Sequence, residues 1–156
     1  MISQGISIRK AGFEDIEKIA DYNVQMAKET EDKTLDRTVV IKGVKAVVED
    51  PHKGFYLVAE KKDNGKDVVG QLMITFEWSD WRNKCFWWIQ SVFVDRRYRN
   101  QKIFTSLYEE IKRLIKSRED ICGLKLYVKE HNESAKKVYE ALGMNRTSYE
   151  IFEMLY

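Results

Sequence analysis

One proline, two cysteines and no apolar run near the roughly 20 residues that cross a bilayer leave this chain of 156 residues short of linkers, disulfide staples and membrane anchors. Cys85 and Cys122 have neither metal-ligand spacing nor the density of a stapled scaffold, and the first residues lack the apolar core of a secretory signal. A reducing cytoplasm is the expected compartment, with no membrane partner. Charge of one sign is scarce too: 27 basic and 25 acidic residues leave a net charge of +2, too balanced to indicate a nucleic-acid partner. Any electrostatic function has to be local. His52 and His131 stand apart without a ligand-like companion set, so no metal is expected.

A hydrophobic content of 44% suffices for one core, and without repeats or low-complexity tracts residues 1–156 are expected to form a single domain. Ile6 to Arg9 reads as a short strand, followed by Phe13, Ile16, Ile19, Ala20, Val24 and Ala27 at helical spacing. A second helix is expected over Leu35 to Val48, ended by Asp50-Pro51 because the residue before proline is pushed out of helical geometry. Phe55 to Glu60 and Val68 to Phe76 flank Asp63-Asn64-Gly65-Lys66, whose Asn-Gly pair suits a tight hairpin turn. With Cys85 to Val94 they predict an antiparallel meander.

Ile103, Leu107, Ile111, Leu114 and Ile115 then mark a helix, Gly123 to Val128 a strand, and Asn132 the start of a helix carrying Ala135, Val138, Tyr139 and Leu142 and ended by Gly143. A last strand is expected over Ser148 to Met154. The strand-helix-strand passage from Cys85 to Val128 requires its strands to run parallel or diverge within an otherwise antiparallel sheet. The fold class is therefore α+β, a mixed, mostly antiparallel twisted sheet flanked by helices.

The stretch from Val92 to Phe104 carries the most chemistry, since an apolar strand enters a basic turn, Asp95-Arg96-Arg97-Tyr98-Arg99-Asn100-Gln101-Lys102, that opens into a helix. A helix start offers N–H groups and the positive end of the macrodipole, which suits a phosphate. Arg96, Arg97, Arg99 and Lys102 also read as a nucleic-acid patch, but the near-neutral total charge argues against it.

Val92-Phe93-Val94, Tyr98-Arg99-Asn100-Gln101-Lys102-Ile103-Phe104, Asn132-Glu133-Ser134-Ala135, Tyr139 and Leu142-Gly143-Met144 together resemble the GNAT N-acetyltransferases, and the likeness follows the element order along nearly the whole chain. The resemblance implies that acetyl-CoA lies between two splayed parallel strands containing Val92 to Val94 and Leu124 to Val128. Pantetheine would pair with the backbone of Val92, Phe93 and Val94 and touch Asn132. Pyrophosphate would rest on Arg99, Asn100, Gln101, Lys102, Ile103, Phe104 and Thr105. Transfer would be direct, without a metal: a neutral amine of a small molecule or peptide attacks the thioester, an N–H near Val92 meets the oxyanion, and Tyr139 protonates the departing thiolate.

The chain departs from the family pattern of Arg or Gln, two residues, Gly, one residue, Gly or Ala, since Lys102 and Phe104 stand where small residues are usual. Lys102 keeps its N–H and adds charge, Asn100 tolerates the left-handed region, and Phe104 has to turn away from the phosphates into the core. CoA binding is expected to survive. A protein of the same fold that binds acyl-CoA without turnover, as a regulator, is the alternative.

Each catalytic residue also has a plainer role. Tyr139 lies on the apolar stripe of its helix, and Asn132 is a favoured helix cap. Glu77, with Asp80 behind it, is the candidate base for the amine, and also an ordinary charge at a hairpin end. Trp78, Trp81, Trp87 and Trp88 read as core or as an aromatic pocket for a cationic amine. Glu29, Glu31 and Asp32 read as a solvated loop or an acidic rim of the acceptor site. Phe152-Glu153-Met154-Leu155-Tyr156 could supply a homodimer interface.

Overall fold

The computed structural model describes residues 5–62 and 67–156, which form two compact units divided after Leu126. In the first, β1 (Ile6–Lys10) leads through a short 3-10 turn (Phe13–Asp15) to α1 (Ile16–Glu31) and α2 (Arg37–Glu49). Then come β2 (Phe55–Lys61), β3 (Asp67–Ser79), β4 (Lys84–Val94), a 3-10 turn (Arg96–Tyr98), α3 (Ile103–Lys116) and β5 (Ile121–Lys125). The strands form one sheet in the order β1-β2-β3-β4-β5, antiparallel from β1 to β4 and parallel between β4 and β5. This is the mixed α+β sheet read from the sequence. The Asp63 to Lys66 turn lies outside the described residues.

Apolar spacing sets the core. Ile16, Ile19, Ala20 and Tyr22 of α1 and Val44 of α2 pack with Tyr56, Val58, Val68 and Phe93 of the sheet. α3 buries Ile103, Leu107, Tyr108 and Ile111. The Asp36 carboxylate caps α2 by accepting from the Thr38 amide at 2.8 Å, and the helix stops one residue before Asp50-Pro51. β1 is clamped to its neighbours by Arg9, which donates to buried Asp15 at 2.7 and 2.9 Å and to buried Glu60 at 2.8 Å.

The loop into β2 depends on Gly54, which has φ +147°, and a Cβ there would fall 2.1 Å from the Ile74 carbonyl oxygen. Gly54→Ala is expected to lower stability by about 1–3 kcal/mol, read as a drop in urea midpoint at unchanged m-value. No change in midpoint would show that the loop can shift.

The second unit, Tyr127 to Tyr156, contains α4 (Glu133–Ala141). Its helix ends at Gly143, φ 88°. Besides shifts of one to three residues at the ends of α2 and β3 and the start of β5, two expectations from the sequence change. β5 ends at Lys125, so the strand expected to reach Val128 is shorter; Lys125 opposite Trp88 is its last registered pair, although β4 runs on to Val94. Ser148 to Met154 forms no strand: Tyr149, Ile151, Phe152 and Met154 are exposed, and the unit holds no strand to give this backbone a ladder. Alternating apolar residues supply a face but not a partner edge.

Candidate active site

Three irregularities in β4 and its surroundings build the site. The first is a splay. Cys85 to Trp88 pair with Ile121 to Lys125, and Trp88 opposite Lys125 is the last registered pair. From Ile89 to Val94 the strand runs on without β5.

The second is a bulge. Gln71 faces Phe93 while Met73 faces Gln90, so Ser91 and Val92 together oppose Leu72, and Ser91 takes φ 51°. A bulge leaves an extra residue out of the ladder and re-aims the backbone. A polar ring braces it: fully buried Gln71 donates to Asn23 Oδ1 of α1 at 2.8 Å and to the Ser91 carbonyl at 3.3 Å, and Asn23 donates to the Tyr56 hydroxyl at 3.3 Å. Ser91 also bonds that hydroxyl; burial pushes the Tyr56 phenol up against the opposing effect of these bonds. Gln71 and Asn23 escaped the sequence reading because an amide inside a strand or helix has no local signature.

The third is the basic turn. Asp95 accepts from the Arg97 amide at 3.0 Å and pairs with its guanidinium at 2.8 Å, which holds the carboxyl at about 2. Tyr22 of α1 donates to the Val68 carbonyl at 2.6 Å and reaches Asp95 at 3.4 Å. Asn100 (φ 62°) and Lys102 (φ 59°) both adopt the left-handed conformation, Lys102 as the residue that starts α3. Lys102 makes no side-chain cap, and the first helical bond closes from Ser106 N to Lys102 O at 3.0 Å. The Ile103-Phe104-Thr105 turn therefore presents the positive end of the helix. Phe104 is half-buried against Tyr108, ring centroids 6.2 Å apart. Gln101 bonds the Arg97 carbonyl at 3.2 Å.

The arginines are held in a way the sequence did not reveal. Glu29, at the end of α1, accepts from Arg96 and Arg99 at 2.8 Å each, while Arg99 also donates to the Val94 carbonyl at 2.9 Å and covers Phe93. Desolvation pushes the Glu29 carboxyl up, but Arg99 and Arg96 outweigh it and hold it below its ordinary value. Glu29 thus belongs to the basic turn, not to a solvated loop. Glu31 pairs with Lys33 and Asp32 with Lys28.

Glu77 sits on β3 at the vertex of the splay. It accepts from the Trp88 indole at 2.5 Å and from Lys125 at 2.9 and 3.2 Å, and Lys125 and Trp88 hold it below its ordinary value. It is consequently ionised but a weaker base than a free glutamate. The first unit carries Val92, Phe93, Val94 and Arg99 to Thr105 at and beyond the end of β4, and Glu77 opposite Phe86 near the start of that strand. Asn132 and Tyr139 belong to α4 of the second. There the Asn132 side chain caps the helix by accepting from Ala135 N at 3.1 Å, and burial raises the pKa of the half-buried Tyr139 phenol, keeping its proton on.

Among the described residues no helix is long and apolar enough to cross a membrane, and no group of three or more His, Cys, Asp or Glu side chains is placed to hold a metal.

A strand that leaves its parallel partner, bulges and delivers a basic turn to a helix start offers backbone amides and cationic side chains to an anionic ligand. The profile of the acetyltransferase (GNAT) family matches residues 15–144, and the chain belongs to that family, whose activity is acetyl transfer and whose members generally use acetyl-CoA. A crystal structure of a possible acetyltransferase from Clostridium difficile 630 is 46% identical, covers 98% of this chain and 99% of its own, and superposes with a TM-score of 0.89. Two more distant structures share the fold. Glucosamine-6-phosphate N-acetyltransferase from Arabidopsis thaliana is 19% identical, with a TM-score of 0.72 over 97% of this chain and 99% of that one. An aminoglycoside acetyltransferase from an uncultured soil metagenomic sample, in complex with sisomicin, is 14% identical, with a TM-score of 0.76 over 100% of both. No curated protein matches.

Proposed function

We propose that the chain transfers the acetyl group of acetyl-CoA directly to a primary amine of a small molecule or peptide. The observation that carries this reading is left-handed Lys102 at the start of α3, directly beyond a bulged, splayed β4. Lys102 takes the left-handed conformation that glycine adopts freely, which supports this reading despite the departure from the family pattern. In this reading pyrophosphate rests on the first turn of α3 with Lys102 and Arg99, pantetheine runs along Val92 to Val94 with help from Asn132, and an amide at the bulge stabilises the oxyanion. Tyr139 donates its proton to the leaving thiolate.

The amine has to be neutral to attack, and for a lysine-like group at pH 7 deprotonation costs about 4–5 kcal/mol. Glu77 is the proposed acceptor of that proton, through water. Its pairing with Lys125 limits what it contributes, and the same pairing is the observation that favours a second reading, an acyl-CoA-binding regulator with little turnover.

Calorimetry with acetyl-CoA tests the cofactor site. Wild type is expected to bind, and Lys102→Glu to bind at least about 10-fold more weakly. Glu29→Gln, which releases two guanidiniums from their shared carboxylate, is expected to bind about 3–10-fold more tightly at low salt, a gain that fades as salt rises. No heat of binding in wild type would overturn the reading. Turnover with an amine panel then separates the enzyme from the regulator.

A further inference from the structure

A primary ammonium already occupies the vertex of the β4–β5 splay. The Lys125 Nζ lies 2.9 and 3.2 Å from the two Glu77 oxygens, 4.0 Å from the Phe86 ring centroid and 5.6 Å from that of Trp88. The Trp88 indole bonds the same carboxylate and fixes its orientation. Phe86 has room there because β5 carries Gly123 beside it, where a Cβ would come within 2.8 Å of the ring, and Arg82 also lies over that ring at 5.3 Å. One carboxylate and two π faces are the chemistry that recognises an ammonium. The Lys125 and Glu77 side chains are 34% and 41% exposed, and ion pairs that open to water exchange partners readily.

We propose that this cage is the ammonium subsite of the acceptor, that Lys125 fills it in the resting chain, and that the acceptor is a cationic di- or polyamine. The inference rests on the amine-acetylation reading above and names its substrate class. Phe86, the ring nearer the ammonium, and Trp88 precede Ser91 by five and three residues, about 17 and 10 Å of extended strand. An ammonium in the cage and a reacting nitrogen at the bulge are therefore separated by the span of a polyamine, beyond that of a monoamine. One ammonium displaces Lys125. The second nitrogen, as the free base, bonds to the acetyl carbon while the carbon–sulfur bond breaks; the nitrogen gives up its extra proton to water, Glu77 now being held by the ammonium, and the thiolate takes one from Tyr139.

Spermidine is the probe, titrated calorimetrically without acetyl-CoA so that the result does not depend on the cofactor site. Lys125→Met, with Lys125→Gln as a second variant should the first fail to fold, is expected to bind spermidine at least about 5-fold more tightly than wild type. Adding Glu77→Gln should abolish the gain, and butylamine should show a smaller one. Lys116→Met, an exposed change of the same charge on α3, should leave the affinity near that of wild type. Equal tightening in Lys116→Met, or a gain that survives Glu77→Gln, would overturn the subsite. Failure of acetyl-CoA to bind would overturn the transfer reading while leaving the cage result to stand by itself.

Discussion

Replacing Arg9 with methionine is expected to cost about 3 kcal/mol of folding stability, more than a 100-fold shift in the folded-to-unfolded ratio. Methionine matches the length of the arginine stem, so the loss comes from charge: Asp15 and Glu60 are 3% and 5% exposed and would remain in place without their cation. Burial pushes the Asp15 carboxyl up, but the hydrogen bonds from Arg9 and the Gly12 amide outweigh it and hold it below the ordinary value. A carboxyl depressed in the folded chain stabilises fully above its unfolded pKa of about 4 and loses that contribution as pH falls through the lower folded value. Wild type should therefore weaken below about pH 4, whereas the variant has no such contribution left to lose. Urea midpoints of the two proteins, far apart at pH 7, should converge in acid. A constant gap from pH 7 to pH 3 would show that packing rather than charge is what Arg9 supplies.

Tyr139→Phe is expected to lower turnover about 100-fold, the range of a single general acid, with acetyl-CoA affinity nearly unchanged. The substitution removes one oxygen and keeps the half-buried ring. Since burial raises the phenol's pKa, the acid form persists throughout an ordinary assay range, and no alkaline loss of rate should appear below about pH 10. The rising limb at neutral pH then belongs to the acceptor amine. Equal turnover in both proteins would exclude Tyr139 as the acid; a matched loss of turnover and acetyl-CoA affinity would make it a structural residue.

The order of strands and helices was legible because it depends on local periodicity. Ile103, Leu107 and Ile111 predict α3, and the Asp50-Pro51 pair predicts where α2 stops. The strand-helix-strand passage required its strands to run parallel or diverge, and β4 and β5 run parallel. Contacts between charges far apart in sequence left no such trace. Glu29 reaches Arg96 and Arg99 across 67 and 70 positions, and Lys125 reaches Glu77 across 48. A lysine at the end of a short strand reads as solvated until the sheet places two aromatic rings beside it. The bulge at Ser91 was hidden for another reason: its left-handed residue is neither glycine nor asparagine, and the amide that braces it comes from a different strand.

The turn at Asn100 and Lys102 carries a thermodynamic consequence. Glycines at such positions act as hinges, free to sample many shapes until a ligand selects one. Side chains in the left-handed region cost roughly 1–2 kcal/mol each in local strain, but they leave the backbone far fewer alternatives. Asp95 and Glu29 hold the surrounding arginines as well, so the cradle is shaped before any anion arrives. Such preorganisation shifts the entropic cost of ordering from the moment of capture to the moment of folding. In the proposed reading, a cofactor entering this turn meets a nearly finished surface, and its binding should carry the small conformational-entropy loss of a rigid site.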